Sequence, residues 1–293
     1  MRRCGTSDPA VFEKLKVIRD NQLERAGLHV AAALRNLSIR TALARGATRA
    51  HIASKETAFL EARRNAVQGM HEATLDIDKL EDDLARLPQS RAKWPEVREA
   101  IHAVSKINFD SADESFRVFS NLVEMVNDLD RIVLNESALI LDHEHIAFHL
   151  VLIAFEHVND SSEFIGRSRA LVTAALFRGR ITDQDRILFQ GLMNQNLATE
   201  KKIEEHLNFL GQTNESAAAK IRPLFQEYEA ARTEFQRLAQ EILDGDVRGG
   251  EGANRIFSFG TKTIETQSKL MQRARTNLNS ILHRAYALLT LTC

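Results

Sequence analysis

Apolar residues recur along most of this chain at alternating spacings of three and four, the period of one helix face, and no stretch shows the alternation of a half-buried strand. The clearest stripe runs Phe148, Val151, Phe155, Val158, Ser162, Ile165, Arg169, Val172 and Leu176. A second runs Leu23, Ala26, Val30, Ala33, Leu37, Arg40 and Ala44. Each stripe carries one arginine where a neighbouring helix should pack. A guanidinium there is costly unless something anionic meets it.

Start and stop signals divide the pattern. Asp8-Pro9 caps a first helix, which Gly46 should end near Arg45. Ser54 opens a second, ending before Leu87-Pro88, and residues 88–95 read as a loop. A short helix follows over 96–107. Ser111, with Asp113 and Glu114 in the first turn, opens another. A break at Asn135 to Ser137 precedes helical periodicity from about Ala138 to Arg178. Gly179 and the capping residue Thr182 then lead into a helix to about Leu210. The next spans Glu215 to Leu243, with Pro223 predicting a kink or a late start. Residues 244–252 read as a loop, and a last helix spans about Thr261 to Leu289. The fold class is all-α: an elongated up-and-down bundle, for which two stacked four-helix bundles sharing long helices is the natural form.

Composition narrows the function. Net charge is −1 and charged residues make up 27%, without the basic surplus of a nucleic-acid binder. Cys4 and Cys293 form neither a disulfide framework nor a metal-ligand spacing. No run reaches the length of a membrane span. The longest, Ile146 to Phe155, is interrupted by His149. Asp142, His143, Glu144, His145 and His149 crowd two helical turns, but no second Glu-x-x-His helix of adequate length completes a di-iron set. They read as surface or interhelical residues rather than metal ligands. There is no nucleophile elbow and no phosphate loop, so no catalytic residue is assigned.

The two arginines therefore carry the chemistry. Either each pairs with a carboxylate across the bundle, or together they line a small anion site. Thr173 lies one turn beyond Arg169 on nearly the same face, and the run Asn194, Gln195, Asn196 on the following helix could add donors, Gln195 among them.

Residues 37–46, LSIRTALARG, and 166–180, GRSRALVTAALFRGR, followed by ITDQDRILFQGL, resemble the two arginine-bearing segments of nitrate- and nitrite-sensing (NIT) domains. In that family the first long helix carries a Glu-Arg-Gly-like segment and a later one a Gly-x-Glu-Arg-Ala-like segment. The closing FSFGTKTIETQSKL is similar to the family's last helix. Ile39 stands at the acid's place before Arg40, Thr41 at the glycine's place, and Ser168 at the acid's place before Arg169.

The resemblance implies one ligand-sensing domain over residues 1–293, not an enzyme and needing no cofactor. A planar oxyanion, nitrate or nitrite, would be clamped between Arg40 and Arg169, and binding would relay a helix shift to an output domain. It further implies the extracytoplasmic region of a membrane receptor, such as a chemoreceptor or kinase, with a cytoplasmic regulator as the alternative. Membrane contact would come only through flanking spans, and no nucleic acid is expected as a partner. A long amphipathic sensor helix commonly pairs with its twin, so a homodimer is expected. The competing expectation is a helical scaffold or interaction protein without a ligand, its arginines salt-bridged.

Overall fold

The structure is a computed structural model that describes residues 9–139, 145–245 and 249–291. Every element among them is helical: α1 (Pro9–Ser54), α2 (Thr57–Asp78), α3 (Glu81–Leu84), α4 (Pro88–Ser105), α5 (Ala112–Glu136), α6 (His145–Val151), a π-helical segment (Leu152–His157), α7 (Val158–Phe177), α8 (Asp183–Thr213), α9 (Glu215–Asp244) and α10 (Gly249–Leu291). The all-α class stands. Helices α1, α2, α4 and α5 form one bundle and α7 to α10 a second, and α1 joins them by packing on α7 and α10 as well. One core of buried residues runs through both bundles, and a smaller one is confined to α7–α10.

Local chemistry explains the ends. The Ser111 side chain accepts from the Glu114 amide at the start of α5. Thr182 and Asp185 form a reciprocal capping box on α8. Gly179 and Gly245 stand in the left-handed region at φ 65° and 92°, closing α7 and α9 where other residues would be strained.

Several predicted boundaries move. Gly46 does not stop α1, which continues to Ser54. The predicted second helix breaks at Lys79 and Leu80. Residues 88–95 are not a loop: Pro88 takes the first position of α4, and Pro95 lies inside that helix. Pro223 is likewise inside an uninterrupted α9, and α10 begins at Gly249, well before Thr261. Asp142, His143, Glu144, Cys4 and Cys293 lie outside the described residues.

Helix α1 carries alanine and glycine on every side, so neighbours approach it closely from both bundles. Its buried arginines are Arg35 and Arg45, and not Arg40, which is exposed: the stripe from Leu23 to Ala44 has Arg40 at its edge. The π-helical segment, one residue wider per turn than an α-helix, frees main-chain carbonyls. Arg35 donates to one of them, Phe155 O, and also to the Asp130 carboxylate on α5. On the segment's other side His157 lies against His206 of α8, Nε2 to Nε2 3.1 Å, and His206 in turn meets His149 of α6, Nδ1 to Nδ1 2.7 Å. No group of three or more His, Cys, Asp or Glu among the described residues is placed to hold a metal ion.

Burial, reinforced by Lys202, pushes the His157 imidazole down to about 4. The unfolded chain takes up this proton near pH 6.5, whereas the folded one resists it to about pH 4. The His157 contribution to folding stability therefore falls as the pH is lowered through that window. His157→Phe is expected to remove this contribution, so that its difference in unfolding free energy from the wild type changes across the window, measured by urea unfolding at a series of pH values.

Candidate functional site

The seam where α1 meets α7 and α10 gathers three guanidinium groups. Arg45 on α1 is wholly buried. It makes a two-pronged pair with Glu163 of α7, Nη1 to Oε1 2.7 Å and Nη2 to Oε2 2.9 Å, and donates to Ser120 Oγ of α5 at 3.2 Å. Burial would raise the Glu163 carboxyl, but Arg45, and then Arg167, outweigh it and hold the group below the usual carboxylate range. Arg49, one turn further along α1, reaches the exposed carboxylate of Asp113 at 2.8 Å and stacks with Arg45 on the Phe116 ring.

Arg169 is different. It is 1% exposed, yet no carboxylate among the described residues lies within ion-pair reach. Its Nη1 donates to Thr261 Oγ1 of α10 at 2.7 Å, and its guanidinium lies 4.6 Å from the Phe257 ring centroid. Burial, with Arg45 as a like-charged neighbour, pushes its pKa down to about 10. Its Nε has no hydrogen-bond partner among the described residues, and neither do the hydroxyls of Thr173, one turn along α7, of Ser168 on α7 and of Thr48 on α1.

Two glycines make room for it. A Cβ at Gly46 would come within 2.5 Å of Arg169 Nη2, and one at Gly260 within 2.7 Å of its Cδ. Gly46 therefore serves packing against α7, not helix termination. Beside Thr173 lies a cavity of about 10 Å³, walled by Gly46, Arg49, Phe177 and Phe257, room for about one water molecule.

The residues singled out from the sequence do not all meet. Thr173 is buried at the seam one turn from Arg169. Arg40 is exposed and packs over Gly69 of α2 on the wall of a large cleft. Gln195 is also exposed, on the outer side of α8. Arg45 and Arg49 were missed. The signal for Arg45 was present: within LSIRTALARG, Arg45-Gly46 is the pair that keeps the Arg-Gly order of the family segment.

Among curated proteins, no sequence matches the chain. In a comparison with solved structures, the NasR transcription antiterminator superimposes with a TM-score of 0.67 at 17% identity, over 96% of this chain and 75% of that one, a likeness of fold. The family described as nitrate and nitrite sensing matches residues 40–279, most of the chain, from Arg40 in the first arginine-bearing segment through the whole of the second. The chain belongs to the nitrate and nitrite sensing family.

Proposed function

We propose that residues 1–293 form one sensor domain that binds nitrate or nitrite at the seam between the bundles, with Arg169 as the group that holds the anion. The observation that carries this is the isolation of Arg169: a buried cation with no acid opposite it among the described residues, one turn from the unpartnered hydroxyl of Thr173. A planar monoanion would supply the missing charge and accept several charge-assisted hydrogen bonds. Arg45 is already committed to Glu163, whereas Arg49 leans on a solvent-exposed carboxylate and is the more readily recruited second fork. Arg40, the partner implied by resemblance, reaches the site only by swinging out of the cleft.

A cavity with room for one water does not hold an anion of three or four heavy atoms. Binding thus requires α1, α7 and α10 to part slightly. That couples occupancy to a helix shift, the signal an output domain would read. A homodimer within a larger receptor completes the proposal. The ligand-free scaffold is favoured by the Arg45–Glu163 and Arg35–Asp130 pairs, but it leaves Arg169 unexplained.

The test is thermal unfolding with nitrate, nitrite or matched chloride. Ligand at 100 times its dissociation constant stabilises by about 2.7 kcal/mol. A nitrate- or nitrite-specific rise is expected, and it should survive in Arg40→Ala. Complete loss in Arg40→Ala would return that residue to the clamp. No rise with any small oxyanion in the wild type would remove the sensor reading.

A further inference from the structure

Between α1 and α10, with α2 as its rim, runs a cleft of about 980 Å³, floored by Ile39, Leu43 and Ile264. Two of its cations, Arg40 on α1 and Arg275 on α10, have no ion-pair partner among the described residues. Burial without a compensating acid depresses the Arg275 guanidinium from its ordinary value. Of the other charges on the wall, Lys269 is taken by Glu227 at 2.8 Å and Asp76 by Lys79 at 2.7 Å, which leaves Glu265 as the acid without an ion-pair partner among the described residues. The cleft is thus an open trough with a cationic balance.

One end of the trough touches the candidate site. Thr261 lines the cleft, and its Oγ1 is the atom to which Arg169 donates. Other sides of Arg169 are occupied by described residues. The α1 and α10 backbones press on it at Gly46 and Gly260. The Arg45–Glu163 pair and Ser120 occupy the side toward α5. Beyond the small cavity at Thr173, Phe177 and Phe257 each meet Phe59 edge-on, at 5.6 and 5.4 Å.

Building on the sensor reading above, we infer that this cleft is the route by which the anion reaches Arg169 from solvent. Arg40 and Arg275 collect the anion, and Thr261 is the threshold it crosses. Cationic walls raise the local concentration of a monoanion and its rate of arrival, an effect that salt weakens. Arg40 then has a place in the sensor without belonging to the bound state.

A route and a binding site respond differently to obstruction. A bulky neutral residue on the route slows arrival and departure together and leaves the dissociation constant unchanged. Ser268 sits on the cleft wall, and its hydroxyl only bonds back to Ile264 O, so Ser268→Trp obstructs at small structural cost. Leu43→Trp is the second obstruction, and Ala53→Trp, at the small cavity, is the control.

The reporter is the Ile264 methyl group, which lines the cleft and packs in the α7–α10 core. Its relaxation dispersion at sub-saturating sodium nitrate gives both rates, calorimetry gives the dissociation constant, and far-UV circular dichroism checks folding. Both rates are expected to fall several-fold in Ser268→Trp and Leu43→Trp at constant affinity, with the association rate of Ala53→Trp like that of the wild type. Unchanged rates in the two obstructed variants, or slowing in Ala53→Trp alone, would overturn the route. A loss of affinity with an unchanged association rate would also overturn it, placing the bound anion in the cleft. Wild-type protein that binds neither nitrate nor nitrite overturns the sensor reading itself, before any variant is compared.

Discussion

Arg169→Met is expected to raise the melting temperature of the unliganded protein and, in the same variant, to abolish its response to nitrate and nitrite. Burial that moves the guanidinium to about pKa 10 corresponds to a charge-burial cost on the order of 3 kcal/mol. Methionine fills a similar elongated space against Gly46, Gly260 and Phe257 without the charge. The lost bond to Thr261 and the lost stacking on Phe257 return part of the gain, so the net stabilisation should be about 1–2 kcal/mol. For a chain of this size that is a few degrees. Calorimetric melting with and without nitrate reads both effects. A lower melting temperature in the unliganded variant would mean that Arg169 serves the fold, and the proposed trade of stability for binding would fall.

The second large effect concerns the buried pair between α1 and α5. Asp130→Ala leaves Arg35 buried and unmatched and should cost about 3–5 kcal/mol. The double variant Arg35→Met with Asp130→Leu should recover most of that loss, because neither charge then needs a partner. Burial pushes the Asp130 carboxyl up to about 6, with Arg35 opposing. The folded state holds this proton up to about pH 6, whereas the unfolded chain releases it near 3.9. The contribution of Asp130 to stability is thus full at low pH and fades as pH rises from about 4 to 6. His157 slopes the opposite way over much of the same range. The wild-type profile should be nearly level there, and the double variant should gain stability steeply with rising pH. A double variant as unstable as Asp130→Ala would show that the pair matters for more than mutual neutralisation.

The helical class was legible because period and punctuation agree: Ser111, Thr182 and Gly179 act as their chemistry dictates. What was hidden has specific causes. Pro88 and Pro95 were misread because proline at the first turn of a helix and proline inside one look alike without the neighbouring structure. Gly46 carries a stop signal, yet its missing side chain is required by a guanidinium from a helix more than a hundred residues away. Of the residues at the seam, Arg169 and Thr173 were legible as core-facing positions, because the α7 stripe is correctly phased after the π-helical segment. Arg40 was misplaced because α1 is small and apolar on all sides. A stripe drawn through alanines has no sharp edge, and a shift of one position exchanges a buried arginine for an exposed one. Arg45 was thereby overlooked, and no periodicity reveals that Glu163 would neutralise it.

Helix α1 is also a beam. Its 46 residues make it ~69 Å long at 1.5 Å per residue. Arg45 divides it unequally: ~14 Å of beam lies toward Ser54 and ~54 Å toward Pro9. A tilt pivoting at that point moves the long arm ~4 times as far as the short one. If the anion seats at this seam as proposed, sub-ångström adjustments around it would become displacements of ångströms at the far end, with gearing set by where the glycine-lined crossing falls along the rod.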